Sequence, residues 1–263
     1  MFDRNLWKER FTFWPTWPCP RCRSVALSIP KVKPQLIDEE TGPSKRAHSD
    51  EAWDPDWIEK RFIALLRCHN PACGEIVSVS GSVFVDMDHY YDENGDTQTQ
   101  YEDVYKPSYF TDAPPIFAVP EECPQPVSKQ LESSFALIWC DTAAAANRLR
   151  AGVEALLDNQ NIQKTTLSKN RTRERLTTHS RIEKLMKKDK EAADYLMAIK
   201  WLGYIGSHDG HAIEARSDIL DALSLFEAAI ERLYLKKAEK FARLAAAISK
   251  RKGKPAKHRR KRN

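Results

Sequence analysis

Two cysteine pairs constrain this chain more than any other feature in it. Cys19 and Cys22 flank Pro20 and Arg21, and Cys68 and Cys73 flank the tetrapeptide HNPA, with 45 residues between the pairs. Two tight pairs, each beside a strand-like run, match a zinc ribbon, in which four thiolates surround one tetrahedral ion. Two sulfurs about 2.3 Å from the same zinc need a tight turn between them. Pro20, the Asn70-Pro71 step and Gly74 supply that turn chemistry. A redox reading of CPRC would need its first thiol at a helix N-terminus, but the run that follows, SVALSI, is strand-like. The third possibility is a degenerate knuckle without metal. The expected ligands are Cys19, Cys22, Cys68 and Cys73, with zinc as a structural cofactor. An ion closed by four thiolates has no open position for water, so it does no hydrolysis. His69 sits inside the second knuckle and is expected to face solvent, while Cys123 and Cys140 lack close partners and read as plain buried thiols.

The chain has 263 residues, enough to bury a good core in one or two domains. Its net charge of +5 is a property of one end: nine Lys or Arg and no acid follow Ser249, and removing those nine leaves the rest at −4. Lys250, Arg251, Lys252, Lys254, Lys257, Arg259, Arg260, Lys261 and Arg262 are candidate contacts to nucleic-acid phosphates, by an attraction that weakens steeply with salt. The plainer reading is a solvated tail. No run reaches the roughly 18 apolar residues of a membrane span. The opening MFDRNLWKERF also lacks the apolar core of a signal peptide. The expectation is a cytoplasmic protein without membrane contact, where thiols stay reduced.

The character of the chain changes along its length. Residues 1–118, rich in aromatic, Pro and β-branched residues, read as a zinc-ribbon-like β domain. Strand-like runs are SVALSI, RFIALLRC and EIVSVSGSVFVDM, and residues 37–56 between the first two read as a long excursion or flexible loop. The segment DENGD reads as a hairpin turn. A calcium loop fails, because it would place Tyr90 and Tyr101 where carboxylates are needed. Asp86 and Asp88 share one strand face and read as its solvated side. The sheet is expected to bury Phe11, Phe13, Trp14 or Trp17, and an exposed Trp would offer a base-stacking surface instead. Residues 119–127 read as a proline-rich linker, 128–248 as a three- to four-helix bundle and 249–263 as a disordered basic tail. Leu131, Phe135, Ile138, Ala145, Leu149, Val153, Leu156 and Leu157 recur at spacings of three and four and predict one helix over 128–160. A polar gap over 161–180 precedes a second helix at about 181–204, and a third runs from about 212 to beyond 248. The fold class is α+β.

Three stretches of the helical part follow one another in a recognisable order: AAAANRLRAGVEALL, then Gly206-Ser207-His208-Asp209-Gly210-His211, then Asp221-Ala222. Together they resemble the family called domain of unknown function 4145, with its "aa..lR..lE" helix, a "GN..aH" turn and a later "da". The family's Asn is Ser207 here. The resemblance covers residues 115–235 and extends loosely over the N-terminal half, since a cysteine-pair module precedes the helices in some members. It implies a HEPN-like bundle and a setting beside restriction and anti-phage systems. Many HEPN proteins are ribonucleases using Arg-x(4–6)-His at a dimer interface. Such chemistry needs a His for proton transfer at the ribose 2′-hydroxyl and a cation near the scissile phosphate. The candidates here are His211 or His208, Arg150 and Glu154. No Arg lies four to six residues before either histidine, and Arg173-x5-His179, which has the spacing, lies in the polar gap. In the plainer reading Arg150 and Glu154 form an ion pair within the helix or across to a neighbour, and His211 bonds a backbone group or a carboxylate. No phosphate-cradling Gly-x4-Gly-Lys is present. The leading expectation is a non-enzymatic, zinc-stabilised interaction module. It would bind nucleic acid, a protein partner or a second copy through the bundle. A metal-independent HEPN-like ribonuclease is the alternative.

Overall fold

The computed structural model describes residues 1–31, 35–91, 93–94, 96–168, 171–208, 216–235 and 237–250. Residues 209–215, with the candidate His211, and the basic segment from Arg251 onward lie outside the described residues. The chain is α+β, an antiparallel sheet followed by helices.

β1 (Trp17–Pro18) and β2 (Val25–Ser28) form a first hairpin. β3 (Leu36–Glu40) leads into α1 (Gly42–Ala47) and a 3-10 turn at Pro55–Trp57. β4 (Glu59–Cys68), β5 (Ile76–Tyr91) and β6 (Thr97–Phe110) complete the sheet, in the order β1-β2-β4-β5-β6 with β3 also on β4. Of the two readings of 37–56, the long excursion holds and the flexible loop does not: the excursion is a strand–helix unit. The Thr41 hydroxyl caps α1 by accepting from the Ser44 N–H. The buried Ser44 hydroxyl donates to Glu40 at 2.7 Å and accepts from the Glu59 N–H at 3.1 Å, stitching the unit to β4.

In β4 the period-two alternation of a half-buried strand sends Phe62, Ala64, Leu66 and Cys68 inward. Cys68 thus enters the site from the core face. β5 and β6 pair from Val79–Phe110 out to Tyr91–Thr97, the hairpin expected around DENGD, although Asp92 and Gly95 themselves lie outside the described residues. The pairing shifts register at Gly81, opposite Pro107, and a Cβ there would stand 2.1 Å from the Lys106 carbonyl oxygen. Only glycine fits such a close approach.

The helices are α2 (Gln125–Leu137), α3 (Thr142–Asn159), α4 (Thr178–Met186), α5 (Lys190–His208), α6 (Arg216–Ile230) and α7 (Lys237–Lys250), with a π-type turn at Glu231–Leu235 before α7. β7 (Thr165–Leu167) and β8 (Arg173–Arg175) make a small hairpin between α3 and α4. Each of the three long helices expected from the apolar stripes is therefore divided. The first breaks before Asp141, whose carboxylate caps α3 through the Ala144 N–H at 2.8 Å. The second breaks before Asp189, whose carboxylate accepts from the Ala192 N–H at 3.0 Å. The third changes pitch at the π-type turn, and the polar gap holds β7 and β8.

One continuous set of buried side chains runs from the sheet into the helices. Trp139, at the α2–α3 turn, meets Phe110, Trp17 and Trp7 with ring centroids 4.9, 6.0 and 6.2 Å away. Of the four rings from which the sheet's core was expected to draw, Trp17 is fully buried, Phe11 and Trp14 are half-buried against it, and Phe13 is 82% exposed. The N-terminus is tied to α6 by the Met1 amino group on Glu227 and by Arg4 on Asp221. The proline-rich connector is itself packed, with Val119, Cys123 and Val127 buried.

Candidate metal centre

Each cysteine pair sits in a hairpin turn with its own hydrogen bonds. In the first, Cys19 N–H donates to the Ser24 carbonyl and Arg23 N–H to the Cys19 carbonyl, both at 2.8 Å. In the second, the Cys73 and Gly74 N–H groups donate to the Asn70 carbonyl at 2.9 and 3.2 Å, and the Asn70 side chain accepts from the Ala72 N–H at 3.1 Å. Both turns close on a left-handed residue directly after the second cysteine, Arg23 at φ 62° and Gly74 at φ 63°. The turns also aim backbone N–H groups at the sulfurs: Arg21 and Cys22 at Cys19, Ser24 at Cys22, Asn70 at Cys68. The β2–β4 pairing, with Leu27 opposite Cys68 and His69 N–H on the Ala26 carbonyl at 2.8 Å, sets the two turns side by side.

The four sulfurs lie within 4.8 Å of one another. Cys19 and Cys73 are 3.8 Å apart and Cys22 and Cys68 are 3.6 Å apart, so the close contacts cross from one hairpin to the other. A tetrahedron with metal–sulfur bonds of about 2.3 Å has edges of about 3.8 Å. A disulfide requires about 2.05 Å, and all six cysteines are free. The donor set therefore fits one tetrahedral, thiophilic ion.

Electrostatics agrees with that fit. Burial pushes the Cys68 thiol up to about 12 and raises Cys19 as well, while the Ser24 N–H and hydroxyl bring Cys22 down to about 6. Four thiolates in this space repel one another and lose hydration; a bound cation offsets both costs. Cys19 and Cys68 are buried, and Cys22 and Cys73 are half-buried. Arg21 reaches Glu75 at 3.1 Å across the two knuckles, an exposed pair of small worth. His69 is exposed, with Nε2 3.1 Å from the Ser28 hydroxyl, away from the sulfurs.

The two remaining cysteines differ from each other. Cys123 is buried, and burial pushes its thiol up to about 11. Cys140 is exposed at the α2–α3 turn, which corrects its reading as a buried thiol.

The candidate nuclease residues are placed as follows. Arg150 and Glu154 lie one turn apart on α3. Glu154 is taken by Arg181 and by the Thr178 hydroxyl, both on α4. Arg181 is 3% exposed and also donates to Asp158 at 2.6 Å and to the Ile162 carbonyl at 3.0 Å. Sequence reasoning missed this arginine. The signal was Glu154 and Asp158 four apart, two carboxylates on one helix face in need of a cation. His208 ends α5, and His211 lies outside the described residues. Arg173 is exposed on β8, while His179, in α4, has Nε2 3.5 Å from Glu183.

Two family models match the chain. The one described as "Domain of unknown function (DUF8608)" covers residues 10–110, which hold both knuckles. The loose N-terminal likeness seen in the sequence thus gives way to a separate family. No curated protein and no solved structure matches the chain. The second model, "Domain of unknown function (DUF4145)", covers residues 132–251 and takes in α3, the Gly206–His211 stretch and Asp221-Ala222, so the helical part of this chain matches the family whose likeness those motifs carry.

Proposed function

We propose that Cys19, Cys22, Cys68 and Cys73 hold one structural zinc ion and that the protein is a non-catalytic interaction module of the cytoplasm. Its basic C-terminal segment would contact nucleic acid. The observation that carries this reading is the gathering of four sulfurs within 4.8 Å of one another. Four thiolates from two hairpins leave no position for water or substrate, so the ion braces the sheet and performs no hydrolysis. Among the described residues no other group of His, Cys, Asp and Glu is gathered closely enough to hold a metal. Glu154, a candidate for chemistry, is engaged by a buried arginine instead. Among the described residues no helix is long and apolar enough to cross a membrane. The family resemblance supports a role in restriction-associated or anti-phage defence.

The nucleic-acid contact is tested by deleting residues 251–263 and titrating DNA and RNA at several salt concentrations. The full chain is expected to bind with affinity that falls as salt rises, and the truncated chain to lose most of that binding. Unchanged affinity after truncation would remove the tail from this role. Labelled RNA should survive incubation with the protein, and cleavage abolished by His211→Ala would establish the ribonuclease instead.

A further inference from the structure

Two surfaces of the described structure stand without a covering layer, and they are opposite in character. The first is the outer half of the β5–β6 hairpin. From Asp86 to Tyr91 and from Thr97 to Tyr101 every residue is exposed, on both faces of the ribbon. A two-stranded ribbon alone in water is marginally stable. One face carries Met87 opposite Tyr101 and Tyr91 opposite Thr97. The other carries Asp86 directly opposite Glu102, a like-charge pairing that costs stability unless cations lie over it. Over residues 86–102 the sequence has six acids and no Lys or Arg.

The second surface is α7. It leaves the bundle after the π-type turn, with Phe241, Leu244 and Ile248 in one exposed stripe. Phe241 alone is 67% exposed. From Lys236 to Asn263 the sequence has thirteen Lys or Arg and one acid, Glu239.

We propose that α7 and the cationic chain beyond it dock on the acidic arm of a second copy of this protein, with the reciprocal contact closing a two-fold dimer. The charges are complementary, and the acidic face, which carries Asp86, Asp88 and Glu102, also offers the exposed Tyr90 to the Phe241–Leu244–Ile248 stripe. The lengths agree, since the fourteen residues of α7 span about 21 Å and six residues of the arm strand span about 20 Å. Pairing α7 with α7 would set cations against cations, and pairing arm with arm would set acids against acids. Only the crossed arrangement is favourable for both. This inference does not depend on the metal.

Sedimentation of the full chain tests it. A dimer is expected at about 50 mM salt, shifting at least tenfold toward monomer at about 500 mM as the charges are screened. Reversing the arm (Asp86→Lys, Asp88→Lys, Glu93→Lys) should give a monomer with an unchanged circular dichroism spectrum. Reversing the helix (Lys237→Glu, Lys240→Glu, Lys250→Glu) should do the same. Mixing the two variants should restore a heterodimer, because each contact is again complementary. A wild-type chain that is monomeric at low salt, a dimer indifferent to both reversals, or a mixture that stays monomeric would overturn the proposal. Monomeric protein that floats with phosphatidylserine vesicles and loses this with Phe241→Ser would assign α7 to a membrane surface instead. The arm reversal leaves the tail intact, so loss of the dimer is read separately from loss of nucleic-acid binding.

Discussion

Arg23 and Gly74 show how much of the site depends on single backbone positions. Both follow the second cysteine of a knuckle and both adopt positive φ. Glycine accepts that conformation freely, whereas an L side chain costs about 1–2 kcal/mol there. Arg23→Gly is therefore expected to raise stability by about 0.5–1 kcal/mol, once glycine's larger unfolded-state entropy is subtracted. Thermal melts of the metal-loaded protein measure this; a lowered melting temperature would show that the Arg23 side chain stabilises the turn. At Gly81 the direction is opposite. A methyl group collides with the Lys106 carbonyl and the Phe62 ring, so Gly81→Ala should cost about 3 kcal/mol in denaturant unfolding. The cysteines were legible in the sequence because metal ligation demands short, fixed spacings. The matching role of Arg23 was not legible, because nothing in an arginine's identity announces a left-handed backbone. Arg181 escaped for a related reason: its two carboxylates come from another helix.

At the scale of elements, short polar signals decided what the apolar stripes left open. The spacing of three and four was read correctly as helical, but it continues in phase across Ile138–Ala145 and so concealed the break. Asp141 is the true boundary. Asp141→Ala should cost about 1 kcal/mol of stability by uncapping α3, as read by urea unfolding. The β7–β8 hairpin was not legible at all, since three-residue exposed strands carry no burial pattern.

The α3–α4 contact gives a pH prediction. Burial pushes the Asp158 carboxyl up, but Lys164 and Arg181 outweigh it and hold the group below the usual carboxylate range. Asp189 behaves likewise: burial is opposed by the Ala192 N–H and by Arg232. A depressed folded value means the stabilisation is present above the unfolded value, near 4, and is lost as pH falls through the lower folded one. Arg181→Leu should therefore destabilise the protein at pH 7, by about 3 kcal/mol for a buried charge network losing its cation. Part of that difference from wild type should vanish below about pH 4. A gap constant with pH would contradict the ion-pair account and leave packing alone.

For the whole molecule, Trp139 matters most. It joins the cysteine-bearing sheet to the helices through Trp7, Trp17 and Phe110, and the buried set is continuous. Trp17 stands two residues before Cys19, so an ion that fixes the first knuckle also fixes a wall of this shared core. Removing the metal should therefore lower the melting temperature of the helices as well as that of the sheet, in one transition. The sequence read as a β part followed by a helical part, and that order is what the chain adopts. Their shared core was hidden, because a proline-rich connector looks the same whether it is packed or loose.

The central claim is that one metal ion joins the two cysteine hairpins, and the most direct test is metal content against chain concentration after purification without added metal. One zinc per chain is predicted, released by a strong chelator with a clear fall in melting temperature and lost in a Cys19→Ser, Cys68→Ser double variant. A chain that carries no transition metal and melts identically with and without chelator would contradict it.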